Sequence, residues 1–172
     1  MTRALAARAL ELLGPLDGSL AVVGHRPHRL AAALGAHVSI AAGDVAAAAV
    51  VTFLGAGAAP AERQALVASL GRRLPAGAPV VLLDHNQPRT PWRRVLGIAA
   101  LALRGLGPAR ARYPAARELA ALGLRVERLR LMSGERVQLV AARWGRDAAP
   151  HGAEREVPAA SKSNSRSAEA WW

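Results

Sequence analysis

The chain of 172 residues contains no cysteine, which excludes disulfides, thiolate catalysis, zinc–thiolate sites and thiol redox chemistry. Aromatic residues are scarce as well, with one Phe, one Tyr and four Trp, so the core has to be built from Leu, Val, Ile and Ala. The longest apolar run, around residues 95–103, is too short for the roughly 20 residues of a membrane-spanning helix. No apolar leader begins the chain either, and we expect a cytoplasmic protein.

Lysine is almost absent, because Lys162 is the only one, yet the net charge is +11. The positive charge therefore comes from arginine. One interpretation is attraction to nucleic acid or to an anionic membrane; the other is a GC-rich genome, which encodes Arg and Ala often. Residues 89–130 hold ten arginines against two glutamates, so the excess charge is concentrated in one segment and both interpretations stay open.

The periodicity of apolar residues predicts one domain over residues 1–144 and a disordered tail over 145–172, where Gly, Pro, Ser and charged residues dominate. The predicted helices cover 2–13, 28–35, 61–74, 92–104 and 114–122. The predicted strands cover 19–23, 37–42, 49–54 and 80–83. Two further β-rich runs, 124–131 and 136–143, flank Ser133-Gly134 and indicate an antiparallel hairpin.

This alternation of strands and helices predicts an α/β fold with three layers, in which a mostly parallel Rossmann-like sheet ends in the antiparallel hairpin. Ligands of such sheets bind at the carboxyl ends of the strands. The loops 24–28, 43–44, 55–57 and 84–88 follow predicted strands and should line one common rim.

The segment from Arg63 to Asp84 resembles class I S-adenosylmethionine-dependent methyltransferases. Its helix, the turn Arg72-Arg-Leu-Pro-Ala-Gly77 and the strand Val80-Val-Leu-Leu-Asp84 are similar to the late helix, turn and fifth strand of that family. Residues 49–57 match the preceding strand, whose end lies beside the transferred methyl group. The final helix and hairpin, up to Trp144, look like the family's last three elements, so the resemblance covers roughly residues 1–144.

The first half departs from the family pattern in two ways. The glycine-rich loop, about G-x-G-x-G in the family, reads Gly24-His-Arg-Pro-His28, so only its first glycine is kept. Glycine lets such a loop turn sharply and approach a ligand, whereas Pro27 removes an N–H donor and the Arg26 side chain could occupy ligand space. In addition, one strand–helix unit is missing before residues 49–54.

The resemblance implies S-adenosylmethionine as cofactor, lying across Gly24-His25-Arg26, Asp44 and Gly55-Ala56. Asp44 has two candidate identities within the family: the acidic residue that binds the ribose hydroxyls, or the later aspartate near the adenine. A third interpretation is a turn aspartate that caps the following segment.

The acceptor is expected to be a small molecule near Asp84, His85 and Tyr113. His85 could act as a general base for a hydroxyl acceptor, or it could simply belong to a polar loop. Methyl transfer often needs no strong base, because positioning does most of the work. The pair His25 and His28 has neither cysteine nor a nearby carboxylate to complete a ligand set, so no metal site is predicted.

Two other functions remain alternatives. The chain could be an inactive methyltransferase-fold scaffold or partner-binding protein, with a homodimer as one way to compensate for the missing unit. It could also be an arginine-rich module, in which the apolar helix 92–104 lies on an anionic membrane or simply covers the sheet. Nucleic acid is disfavoured, because aromatic residues for base stacking and binding motifs are lacking.

Overall fold

The protein is described by a computed structural model over residues 2–41, 45–55, 59–108 and 114–145. These ranges contain five α-helices, α1 (Thr2–Leu13), α2 (Pro27–Leu34), α3 (Pro60–Ser69), α4 (Pro91–Ala102) and α5 (Ala115–Ala121), and a 3-10 turn over Leu70–Arg72 continues α3. Three of the helices, α2, α3 and α4, begin with proline. Proline suits that position because its missing N–H would have no partner within the helix and its φ is already helical.

Five strands form one sheet in the order β1-β2-β3-β5-β4. They are β1 (Leu20–Gly24), β2 (Ala48–Thr52), β3 (Pro79–His85), β4 (Leu124–Met132) and β5 (Val137–Trp144). The first three run parallel, whereas β5 pairs antiparallel with both β3 and β4. The predicted α/β fold and its closing hairpin are thus confirmed.

Helices cover both faces of this sheet, which explains why β2 and β3 are almost continuously apolar. On one face α1 and α2 contribute Leu5, Ala9, Leu30 and Leu34, which pack with Val50 and Val81. On the other face α3, its 3-10 extension and α5 contribute Val67, Leu70 and Leu119, which pack with Val51 and Leu82. Alternate residues of each strand therefore face different layers.

The strand predicted over residues 37–42 is wrong in extent. The structure has a single parallel bridge there, between Ile40 and Leu20, flanked by hydrogen bonds from the Leu20 N–H to the Ser39 carbonyl (2.8 Å) and from the Ala41 N–H to the Leu20 carbonyl (2.9 Å). Residues 35–41 are at most partly buried, and Val38 and Ile40 pack against the core on the α1–α2 face, so the segment contacts the core without pairing along its described length. The described residues between α2 and β2 include no helix, in keeping with the missing strand–helix unit.

The polar loop predicted over residues 84–88 begins later than expected. Strand β3 continues through Asp84 and His85, which pair with Gln138 and Val137 of β5. Both residues therefore follow the strand's alternation, and their side chains leave the sheet on opposite faces.

Candidate functional site

A cavity of about 590 Å³ opens where β1, β2 and β3 end. Its walls come from the start of α1, the β1–α2 loop, the ends of β2 and β3, helix α4 and the β4–β5 turn. Small-molecule sites in proteins commonly enclose about 300–1,000 Å³. The cavity lies at the carboxyl ends of the parallel strands, where the sequence predicted the ligand rim.

Four of the predicted site residues line this cavity or its edge. His25, Arg26, Gly55 and His85 all contribute to its wall. Gly24 directly precedes His25 at the end of β1. Asp44, Ala56 and Tyr113 lie outside the described residues, so their predicted roles stay predictions.

The end of β1 requires glycine because it lies directly against β2. Gly24 has φ +113°, and a Cβ built there would stand 2.1 Å from the Thr52 carbonyl oxygen. The next residue continues this contact, since the His25 N–H donates to the same oxygen at 2.7 Å. Gly24 therefore sets the spacing between two strands whose ends form the cavity.

Arg26 has the left-handed backbone conformation that the family pattern would give to glycine. Its φ and ψ are 47° and 52°, and it precedes the first turn of α2 without a side-chain capping hydrogen bond. A residue with a side chain loses roughly 1–2 kcal/mol in this region. The loop thus keeps the turn of a glycine-rich loop although the glycine is absent.

Replacing Arg26 with glycine should stabilise the protein. We expect Arg26→Gly to raise the free energy of unfolding by about 0.5–1 kcal/mol, because relief of backbone strain exceeds the added entropy of the unfolded chain. Urea denaturation measures this change. Arg29→Gly is the matched control: it removes an arginine from the same cavity but lies inside α2, where glycine costs about 1 kcal/mol. A loss of stability in both variants would contradict the strain at Arg26.

Hydrogen bonds hold both the ring and the backbone of His85. The Gly55 N–H donates to His85 Nε2 at 2.9 Å, and the Gln138 side chain donates to the His85 carbonyl at 2.8 Å. Because Nε2 accepts this hydrogen bond, the neutral ring carries its proton on Nδ1. Nε2 would have to give up Gly55 before it could take a proton from an acceptor, so the structure links His85 to the β2 end. Its predicted role as general base stays a prediction.

Asp84 does not reach the cavity, and here the structure departs from the prediction that it lies beside the acceptor. Its carboxylate is fully buried on the opposite face of the sheet, where Oδ2 accepts a hydrogen bond from Arg63 Nη2 at 2.8 Å. Its Oδ1 accepts from the His85 N–H, also at 2.8 Å. The alternation of β3 explains this placement, because Leu83 and His85 face the cavity and Asp84 therefore faces away.

The partner of Asp84, Arg63, is buried within a charged cluster. Its guanidinium makes two hydrogen bonds to Glu118, at 3.1 and 2.8 Å, and lies 3.8 Å from the centre of the Phe53 ring. Burial alone lowers the pKa of Arg63, but the hydrogen bonds to Glu118 and the charges of Asp84 and Glu118 outweigh burial and raise that pKa. The guanidinium is therefore charged throughout the neutral range.

This cluster was not predicted from the sequence, although the spacing of residues in α3 pointed to it. Helix α3 and its 3-10 extension bury Arg63, Val67 and Leu70. Arg63 precedes Val67 by four residues and Leu70 by seven, so it shares their face. A buried arginine on such a face requires carboxylates nearby.

Helix α4 presents an apolar outer face that nothing in the described residues covers. The side chains of Trp92, Val95, Leu96 and Leu103 are between 48% and 90% exposed. Within the described ranges, no helix is long and apolar enough to cross a membrane. Contact of segment 92–104 with a membrane surface stays a prediction, as does the homodimer.

Comparisons with known proteins agree with this architecture. No protein-family model matches the chain, and no curated protein matches its sequence. Among solved structures, the pyocyanin biosynthetic protein PhzM is 16% identical with a TM-score of 0.63, over 84% of this chain and 54% of PhzM. The O-methyltransferase family 2 protein from Planctomyces limnophilus, solved in complex with apigenin, is 18% identical with a TM-score of 0.53, over 83% of this chain and 60% of its own.

A third structure is closer to this chain in length. The N-methyltransferase NodS from Bradyrhizobium japonicum is 14% identical with a TM-score of 0.50, and the match covers 83% of this chain and 96% of NodS. The chain spans only 54% and 60% of the first two structures. At these identities the likeness concerns the fold alone, and this chain shares the α/β fold of structures described as O- and N-methyltransferases.

Proposed function

We propose that this protein transfers the methyl group of S-adenosylmethionine to a small molecule. The observation that carries the proposal is the cavity at the carboxyl ends of β1, β2 and β3, in a fold shared with structures described as methyltransferases. The residues around the cavity fit the cofactor in two respects. The volume of about 590 Å³ is sufficient for a drug-sized ligand, and the Gly24–Arg26 loop keeps a left-handed turn.

The cofactor supplies, when bound, a methyl group already activated on a sulfonium. The protein's part is then to bind and orient two molecules and to exclude water, and such positioning can supply most of the rate. Arg26 and Arg29, at the β1–α2 side of the cavity, would pair with the carboxylate of the methionine moiety. Gly55 would let the ligand approach the end of β2, because it has no side chain and its φ is +82°.

Calorimetric titration with S-adenosylmethionine and its demethylated product tests the proposal. We expect saturable one-site binding of both compounds. Asp44→Ala should weaken it by more than about tenfold, because a carboxylate that accepts hydrogen bonds from ribose hydroxyls contributes roughly 1.5–3 kcal/mol. Asp17→Ala, at the other end of the sheet, is the control and should bind normally. If the folded wild-type protein gives no heat of binding, the proposal of an active methyltransferase is refuted. The alternative of an inactive scaffold then stands.

A further inference from the structure

The charge of the cavity wall has one sign. Four arginines line it, namely Arg26, Arg29, Arg104 and Arg136, and no Asp or Glu occurs among its described lining residues. Within the described parts of the chain none of these four guanidinium groups forms an ion pair. Like charges gathered around one concave surface raise the local potential and attract anions.

A groove at the opposite end of the sheet shows that this charge is not simply the arginine-rich composition. Two arginines and three carboxylates line that groove: Arg128, Arg143, Glu11, Asp17 and Glu127. Its Arg143 and Glu127 are bonded to each other at 3.0 Å. Carboxylates therefore accompany arginines elsewhere on the surface, whereas the cavity lacks them in its described wall.

The four arginines divide between two sides of the cavity. Arg26 and Arg29 belong to the β1–α2 side, where the proposed cofactor would bind. Arg104 follows α4 and Arg136 precedes β5, and the Asn86 N–H fixes the backbone at Arg136 by donating to its carbonyl at 2.8 Å. This second pair lies on the side left for the acceptor.

The wall beside this second pair contains buried apolar residues as well as the polar Asn86 and Ser133. Leu101 precedes Arg104 by one helical turn and Val137 directly follows Arg136, and both are at least 95% buried. Leu83 and Leu54 also line the cavity. An apolar interior with two guanidinium groups at its edge is complementary to a molecule that has an apolar body and one anionic group.

We propose that the methyl acceptor is a carboxylic acid with an apolar body, whose carboxylate is bound by Arg104 and Arg136. This inference rests on the proposed function and names the class of its second substrate. Guanidinium groups pair with carboxylates through two parallel hydrogen bonds. The apolar body occupies the interior, which positions the acceptor relative to the β1–α2 side.

Three probes test the proposal by calorimetry on the full chain: 3-phenylpropanoate, its neutral amide 3-phenylpropanamide, and acetate. The first two have the same size and differ in charge, and acetate keeps the charge without the apolar body. We expect 3-phenylpropanoate to bind at least about tenfold more tightly than either of the others. Its affinity should fall as salt is added while that of the amide does not.

Two double variants locate the site. Arg104→Gln/Arg136→Gln should weaken the binding of 3-phenylpropanoate by about tenfold. The binding of S-adenosylmethionine should stay unchanged in this variant, which also shows that the variant is folded. Arg72→Gln/Arg117→Gln removes the same charge from exposed positions that do not line the cavity, and it should bind the acid normally.

The outcomes separate this inference from the proposed function. If the cofactor binds but the acid and the amide bind equally, or the two double variants weaken the acid alike, the inference is overturned and the methyltransferase proposal stands. If the acid binds selectively and no cofactor binds, the acid site stands as a binding site and the proposed function fails.

Discussion

Arg63→Met is expected to lower the free energy of unfolding by about 3–5 kcal/mol, because it leaves Asp84 and Glu118 buried together without their cation. The change keeps a long side chain against Phe53 but removes the hydrogen bonds of the guanidinium to both carboxylates. In urea the midpoint should fall by more than about 1 M.

The exposed Arg117→Met on α5 is the matched control and should change stability by less than about 0.5 kcal/mol. The triple variant Arg63→Met/Asp84→Asn/Glu118→Gln should recover a substantial part of the loss, since it removes the uncompensated charges as well. If Arg63→Met proves as stable as Arg117→Met, the charged cluster contributes little to the free energy of unfolding.

The pH dependence of this stabilisation follows from the raised pKa of Arg63. A cation whose folded-state pKa is raised contributes its full stabilisation below the unfolded value and loses it only as the pH rises through the folded value. That window lies in strongly alkaline solution. The loss of unfolding free energy in Arg63→Met relative to Arg117→Met should therefore not decrease as the pH rises from neutral to mildly alkaline values.

Gly24→Ala is expected to cost about 3–4 kcal/mol, because two penalties add. The backbone has φ +113°, and the new Cβ would meet the Thr52 backbone at 2.1 Å from its carbonyl oxygen and 2.9 Å from its carbonyl carbon. Since backbone cannot rotate away as a side chain can, β1 and β2 would have to separate. Urea denaturation measures the loss, and calorimetry with S-adenosylmethionine should show weaker binding as the cavity changes shape.

Gly77→Ala separates the two penalties. Gly77 has φ +80°, and a Cβ there would meet nothing within 4 Å, so its cost should be the backbone strain alone, about 1–2 kcal/mol. The excess loss in Gly24→Ala then measures the approach of the strands. Equal losses in the two variants would refute a requirement for glycine at that contact.

The sequence was sufficient for most of the elements and for the location of the cavity, and the reasons are local. Apolar runs such as residues 80–83 have no polar face to expose, so they predict a covered sheet; Ser133-Gly134 between two β-rich runs predicts the hairpin. The rim followed from the parallel order of the strands. Its members His25, Gly55 and His85 do converge on one cavity.

What the sequence could not supply depends on pairing between distant segments. Asp84 faces away from the cavity because β3 extends beyond its predicted end to include Asp84 and His85. These two residues pair with residues of β5 that lie more than 50 positions later in the chain. The burial of Arg63 required Glu118, which is 55 residues away. Likewise, Arg104 and Arg136 share one cavity only because α4 and the β4–β5 turn meet at the end of β3.

The position of β5 has a consequence for the time at which the cavity can form during synthesis. This strand lies between β3 and β4, and its Gln138 holds the carbonyl of His85. When the segments α1 to β3 of a nascent chain have emerged from the ribosome, β3 still lacks its neighbour β5, which completes the buried sheet. The elements of the cavity must therefore wait, with β3 exposed along one edge, until residues 137–144 emerge, and that interval is when the chain is most open to aggregation or to chaperones.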